Sequence, residues 1–153
     1  MVVGVARRTL SYGSVGYVTV PAAPLATPPS GPVIIQGGMG VAVSSWQLAR
    51  EVSRLGHLGV VSGTALDGVV ARRLQDGDPG GHIRRALEHF PSQTIAARVL
   101  AAYFREGGRP AGKPYRPHPT LTIEPSQAAI ELSLVGNFAE VWLAKEGHDG
   151  VVG

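Results

Sequence analysis

Two apolar runs stand out because each is short, continuous and closed by glycine. Val33-Ile34-Ile35-Gln36 leads into Gly37-Gly38, and Leu58-Gly59-Val60-Val61-Ser62 leads into Gly63-Thr64. Continuous β-branched runs of this length suit strands buried on both faces, as in a parallel sheet. Between them Leu48, Ala49, Val52 and Leu55 recur at helical spacing. Ser44-Ser45-Trp46-Gln47 reads as a capping box, with Ser44 as N-cap and Gln47 at the third helical position. Gly56 is suited to a left-handed helix stop. Residues 32–63 are therefore expected to form a strand, a helix and a parallel strand joined by a right-handed crossover. Ligands of such units gather beyond the carboxyl ends of the strands. Those ends are Gly37-Gly38-Met39-Gly40 and Ser62-Gly63-Thr64.

The rest of the chain reads as mainly helical. A helix is expected from Leu66 to Gln75, stopped by Gly77, and another from about Gly81 to Phe90, stopped by Pro91. Ser92 is the candidate N-cap of a helix from Gln93 to Phe104, with Ile95, Ala96, Val99, Leu100 and Tyr103 as its apolar stripe. Residues 105–119 are rich in Gly and Pro and should form a loop. Ser126 should cap a helix to about Val135, and Phe138-Ala-Glu-Val-Trp-Leu143 is expected to be a third strand. Residues 1–31, with their proline-rich second half, read as an extended leader. The fold class is thus α/β, with a helical insertion over about 66–135 and no internal repeat.

Charge and composition narrow the function. The 153 residues carry 14 Lys and Arg against 11 Asp and Glu, a formal net charge of +3. Much of the excess lies between Arg72 and Arg116 with acids interleaved, so a mixed, solvated surface is favoured over a nucleic-acid face. There is no cysteine, which excludes disulfides, thiolate metal sites and a cysteine nucleophile. A reducing cytoplasm is the default location. No apolar run approaches the roughly 20 residues that span a bilayer. Arg7 and Arg8 precede a stretch broken by Ser, Gly and Tyr, so no signal peptide is expected.

The glycine turn admits two readings from its residues alone: close backbone approach to a flat or anionic ligand, or an ordinary tight turn after a strand. A dinucleotide fingerprint fails on spacing, because Gly38-x-Gly40 is followed by Val43, and position 60 is Val where an acid is needed. No Gly-Lys-Ser/Thr follows, which excludes a Walker A loop. His82, His89 and His118 have no metal-ligand spacing with any carboxylate, and His57 reads as structural. Asp76 and Asp78 read as a turn residue and a helix cap.

Pro32-Val-Ile-Ile-Gln-Gly-Gly-Met-Gly40, Leu48-Ala49-x-x-Val52-Ser53 and Gly56-x-Leu58-Gly59-Val60-Val61-Ser62-Gly63 together resemble the opening of the nitronate monooxygenase family. That family includes flavin-type enoyl-acyl-carrier-protein reductases, and the chain is also similar to the enoyl-reductase component of polyunsaturated fatty acid synthases. The similarity to larger members extends through Gln75-Asp-Gly-Asp-Pro-Gly-Gly81 and residues 138–153. The resemblance implies the N-terminal part of a (β/α)8 TIM barrel carrying FMN at its C-terminal face. It implies cofactor-binding roles for Gly37, Gly38, Met39, Gly40, Ser62, Gly63 and Thr64. Glu146-Gly147-His148-Asp149-Gly150 looks like a shortened form of the family's Glu-x-Gly-Gly-His motif, which makes His148 the candidate catalytic base.

The implied activity is oxidation of an alkyl nitronate by O₂, with a small-molecule substrate and no nucleic-acid or membrane partner. Alternatives are an enoyl-thioester reductase on the same fold, a non-catalytic barrel remnant or interaction module, and, ranked last, a nucleotide-binding Rossmann domain. A complete barrel of this type needs about 250 residues and eight strands. The chain is therefore expected to be an incomplete barrel that on its own is unstable or associates, with its own copies or with the remaining part of the barrel, and that shows no measurable nitronate oxidation. Val33, Ile35 or their neighbours would then face water.

Overall fold

The computed structural model describes residues 34–153. The leader over 1–31 and the place of Val33 in the first strand lie outside the described residues. The fold is mixed α/β and mostly helical. In order, the elements are β1 (Ile35–Gln36), α1 (Trp46–Arg54), β2 (Leu58–Gly59), α2 (Leu66–Gln75), α3 (His82–Glu88), α4 (Gln93–Tyr103) and α5 (Gln127–Lys145), with a 3₁₀ turn at Pro79–Gly81 before α3.

The strands are parallel, with Ile35 opposite Leu58 and Gln36 opposite Gly59. The Leu58 N–H donates to the Ile34 carbonyl at 3.0 Å and the Val60 N–H to the Gln36 carbonyl at 3.1 Å. Helix α1 crosses between them and buries Trp46, Ala49 and Ser53. It lies so close to β2 that a Cβ added at Gly59 would stand 2.0 Å from the Ala49 carbonyl oxygen. That position accepts only glycine, because the helix backbone itself occupies the space.

The third strand expected at 138–143 is not a strand. Those residues continue α5, which runs unbroken to Lys145. From Leu132 on, its buried positions are Leu132, Val135, Gly136, Ala139, Glu140, Leu143 and Ala144, the three-and-four spacing of a helix face. The parallel position beside β2 belongs instead to Val152, which bridges to Gly59. The Val61 N–H donates to the Gly153 carbonyl at 2.7 Å, and the Gly153 N–H to the Gly59 carbonyl at 2.9 Å. The helical segment thus runs from 66 to 145 rather than to about 135.

Helix α5 packs against each of the other four helices. Gly136 lets the start of α2 approach, since a Cβ there would come within 2.9 Å of the Leu66 carbonyl oxygen. Leu132, Val135 and Leu143 are fully buried on this helix, each contributing about 2 kcal/mol through apolar burial. Ion pairs link α5 to its neighbours at its two ends: Arg98 with Glu131, and Arg85 with Glu146.

In the middle lies Glu140, only 1% exposed. One carboxylate oxygen accepts from the Trp46 N–H at 3.1 Å, and the other is paired with Arg73 of α2. This supplies the cap that α1 lacks. The expected capping box is not formed: Ser45 is the N-cap residue and makes no side-chain cap, and Ser44 is turned toward β1. The other two caps are as expected, with Ser92 accepting from Ile95 N–H and Ser126 from Ala129 N–H. Asp78 caps α3, accepting from the N–H groups of Ile83 and Arg84 at 3.0 Å each.

Glu140→Ala should therefore lower the unfolding free energy by about 3 kcal/mol, because it strands the Arg73 charge and the Trp46 N–H together. Urea denaturation measures it, and a loss below about 0.5 kcal/mol, the size of an ordinary surface substitution, would show that Glu140 does not hold α1, α2 and α5 together.

Candidate functional site

The carboxyl ends of β1 and β2 open on one side, and the two turns that leave them are tied together. The Ser62 hydroxyl donates to the Met39 carbonyl at 2.6 Å and lies 3.3 Å from the Thr64 hydroxyl. The first turn is closed from within. Buried Ser44 accepts from the Met39 N–H at 3.0 Å and from the Gln36 amide at 2.9 Å, and donates to the Gly37 carbonyl at 3.1 Å. Gln36 completes the tie, its side-chain oxygen accepting from Val60 N–H at 3.2 Å.

These bonds hold Gly37, Gly38, Met39 and Gly40 with their outer faces exposed. A Cβ at Gly37 would meet nothing within 4 Å, and one at Gly38 would make only ordinary contacts, the nearest being the Ser62 Cα at 3.7 Å. Neither glycine is required by backbone conformation. Positive φ falls instead on Ala42, at +56°, in the turn closed by the Val43 N–H to Gly40 carbonyl bond, and on Ala65, at +52°, where α2 begins. Left-handed backbone at a non-glycine residue stores about 1 kcal/mol or more. Of the three such residues among those described, Ala42 and Ala65 follow the two turns of the site and Asp78 precedes α3.

Ser62, Gly63 and Thr64 stand beside the glycine turn, so the structure brings all seven predicted turn residues together. Gly63 and Thr64 are exposed, whereas Ser62 is buried by its bond to Met39. Sequence reasoning missed three neighbours. Sequence pattern marks Gln36 only as the end of a strand and Ser44 only as a cap. Asn137 on α5 reaches the second turn, its side-chain oxygen 3.1 Å from where a Gly63 Cβ would stand. Its one signal is a polar residue inside an otherwise apolar run.

His148 is not brought to these turns. It lies four residues before Val152, at the amino end of the third parallel position, whereas Gly37 and Ser62 mark the carboxyl ends of β1 and β2. Both ring nitrogens are engaged locally. Nδ1 accepts from the Gly150 N–H at 3.1 Å, so Nε2 carries the proton and donates to the Ala144 carbonyl at 2.7 Å. The ring closes the end of α5, and a general base is not what this geometry provides.

Two of the remaining histidines pack against tryptophans: His82 tilts against Trp46 and His89 stacks on Trp142. No cluster of three metal-ligating side chains occurs among the described residues, and none of the described helices is long and apolar enough to cross a membrane. The clefts lined by Phe138, Val141 and Trp142, by Arg84, Leu87 and Leu100, and by Trp46, Arg73 and His82 include none of the seven turn residues. The site is an open ledge of backbone rather than a closed pocket. No family model, curated protein or solved structure matches the chain.

Glu146, from the same motif as His148, is an anchor. Arg85 grips its two carboxylate oxygens at 2.7 and 3.0 Å, and Arg50 approaches at 3.5 Å. The hydrogen bonds from Arg85, with the charges of Arg85 and Arg50, hold its carboxyl below the usual carboxylate range. Its contribution to stability is thus fully present above the unfolded-state value of about 4.3 and lost as pH falls through the lower folded value. Glu146→Gln should reduce the urea midpoint at pH 7, and the difference from the parent should narrow as pH falls below about 4.3. Equal midpoints at pH 7 would mean that the Arg85–Glu146 pair contributes nothing.

Proposed function

We propose that this chain supplies the opening of an FMN-dependent (β/α)8-barrel oxidoreductase that oxidises alkyl nitronates with O₂. The observation that carries the reading is the ledge itself. Two turns at the carboxyl ends of adjacent parallel strands are stapled by the Ser62 hydroxyl to the Met39 carbonyl, with open space over Gly37 and Gly38. A flat ring can approach such a backbone as it cannot approach one bearing side chains. The third parallel position at Val152, reached through α5, supports a barrel order of strands. Ile35, 62% exposed, offers the apolar inner face that further strands would cover.

The residues of the ledge fit the ring of FMN. The cofactor's phosphate would be held elsewhere, on the later loops that the family resemblance implies. When bound, FMN would supply the two-electron chemistry that takes electrons from the nitronate and returns them to O₂. The chain's own part is positioning. Gly37 and Gly38 would present bare backbone to the ring, and Ser44, Gln36 and Ser62 would hold that backbone in place. The exposed Met39 side chain would exclude water from one edge. A nitronate is already carbanionic, so its oxidation needs no proton removed by the protein. This fits a ledge without a carboxylate or imidazole base, and it leaves His148 to its helix-end role.

Gly38→Val should weaken FMN binding by about tenfold, a loss of about 1.4 kcal/mol, while leaving folding nearly intact, since the added Cβ meets no close neighbour. Fluorescence titration of FMN and a thermal midpoint measure the two effects. Unchanged affinity would move the flavin away from this turn. Anaerobic mixing of the FMN-loaded full-length form, with the rest of the barrel present, with an alkyl nitronate should bleach the flavin without a nicotinamide cofactor. Bleaching only by NADH or NADPH would favour the enoyl-thioester reductase, and failure of the full-length form to retain any flavin would favour a non-catalytic module.

A further inference from the structure

Five arginines around the helical segment are matched by carboxylates: Arg73, Arg84, Arg85, Arg98 and Arg109. Arg105 and Arg116 are not matched by any among the described residues, yet both are drawn to one atom. The Ala102 carbonyl, in the last turn of α4, accepts from Arg116 Nη1 at 2.9 Å and from Arg105 Nη2 at 3.5 Å, while Arg105 Nη1 donates to the Phe104 carbonyl at 2.8 Å. Two guanidinium groups sharing one oxygen repel each other. The negative end of the helix dipole offsets only part of that repulsion.

Their placement is built from below. The Arg105 N–H donates to the Leu74 carbonyl at 3.1 Å. Buried Gln75 clasps the Arg116 backbone from both sides, accepting from its N–H at 2.6 Å and donating to its carbonyl at 3.2 Å. Both arginines therefore stand on a loop pinned to the end of α2, which lowers the entropy lost when a ligand orders their side chains. A cleft of about 120 Å³ lies alongside, lined by Val99, Ala102, Tyr103 and Ala128 and also by Glu131, whose charge is answered by Arg98. The Arg116 guanidinium sits 5.9 Å from the centre of the Tyr103 ring. Tyr103 is 8% exposed, and its hydroxyl has no hydrogen-bond partner among the described residues.

We propose that Arg105 and Arg116 bind the phosphate group of a small phosphate ester whose organic part enters the Tyr103 cleft. A phosphate monoester presents three terminal oxygens and close to two negative charges, which match two guanidinium forks better than a carboxylate does. The cleft has room for one small ring or a short chain and an unpartnered hydroxyl to receive a polar atom. A polymer would find only the exposed rim. The site shares no residue with the ledge of β1 and β2 and stands independently of the flavin.

Calorimetric titration of the whole chain at fixed ionic strength, with phenyl phosphate and with inorganic phosphate, tests the site. Both should bind saturably, phenyl phosphate about tenfold more tightly. The double variant Arg105→Gln, Arg116→Gln should weaken both by about tenfold or more without moving the ligand-free thermal midpoint, because both side chains are exposed. Ala128→Leu, which fills the cleft, should weaken phenyl phosphate alone. Equal binding by parent and double variant, or no saturation by either ligand, would overturn the anion site. Equal affinity for the two ligands, unaltered by Ala128→Leu, would overturn the cleft's role. Steeply salt-dependent binding of an RNA oligonucleotide with no binding of phenyl phosphate would replace the proposal with a nucleic-acid surface.

Discussion

The carboxylate of Glu140 joins three helices at one buried point. Its oxygens take the first N–H of α1 and the guanidinium of Arg73 on α2, and its backbone belongs to α5. A buried carboxylate is tolerated only where charge and hydrogen bonds both answer it, so this one side chain ties the three helices at a single point within their apolar packing. The consequence reaches the ledge. Ser45 offers no side-chain cap, and Ser44 is committed to the glycine turn. The start of α1, and with it the exit from β1, therefore depends on a residue 94 positions along the chain. The strand–helix–strand opening is not a self-sufficient unit but is held by the helical segment that follows it.

Much of this was legible in the sequence. The runs around Ile35 and Leu58, the N-caps at Ser92 and Ser126, and the carboxylate of Asp78 all announce their elements through local chemistry. Helix α5 was not legible beyond Val135. Its apolar residues lie on more than one side, with Leu134, Phe138, Val141 and Trp142 outside the stripe of fully buried positions, so Phe138 to Leu143 mimics a buried strand. A charged residue, Glu140, sits inside the buried stripe and hides the helical period. The true third parallel position, at Val152, is too short to be distinguished from loop by pattern alone.

The candidate site was legible in place but not in physics. The glycines were found, but positive φ falls on Ala42 and Ala65, not on Gly37, Gly38 or Gly40. What those glycines provide is an absence of side chain over exposed backbone. Ser44 shows the limit of local rules in another way. Its pattern fits a capping box, yet a hydroxyl next to β1 finds the Met39 N–H and the Gly37 carbonyl nearer than the helix N–H groups. His148 illustrates the same competition. A histidine two residues before Gly150 and four after Ala144 has two backbone partners within reach, and it uses both ring nitrogens there rather than at the site.

The proposal that the ledge receives a flat ring is tested most directly by amide hydrogen exchange, read by mass spectrometry, with and without saturating FMN. Slowed exchange concentrated in Gly37–Gly40 and Ser62–Thr64, with residues 105–116 unchanged, is the expected result. Protection that spares those two turns while FMN is demonstrably bound would contradict it.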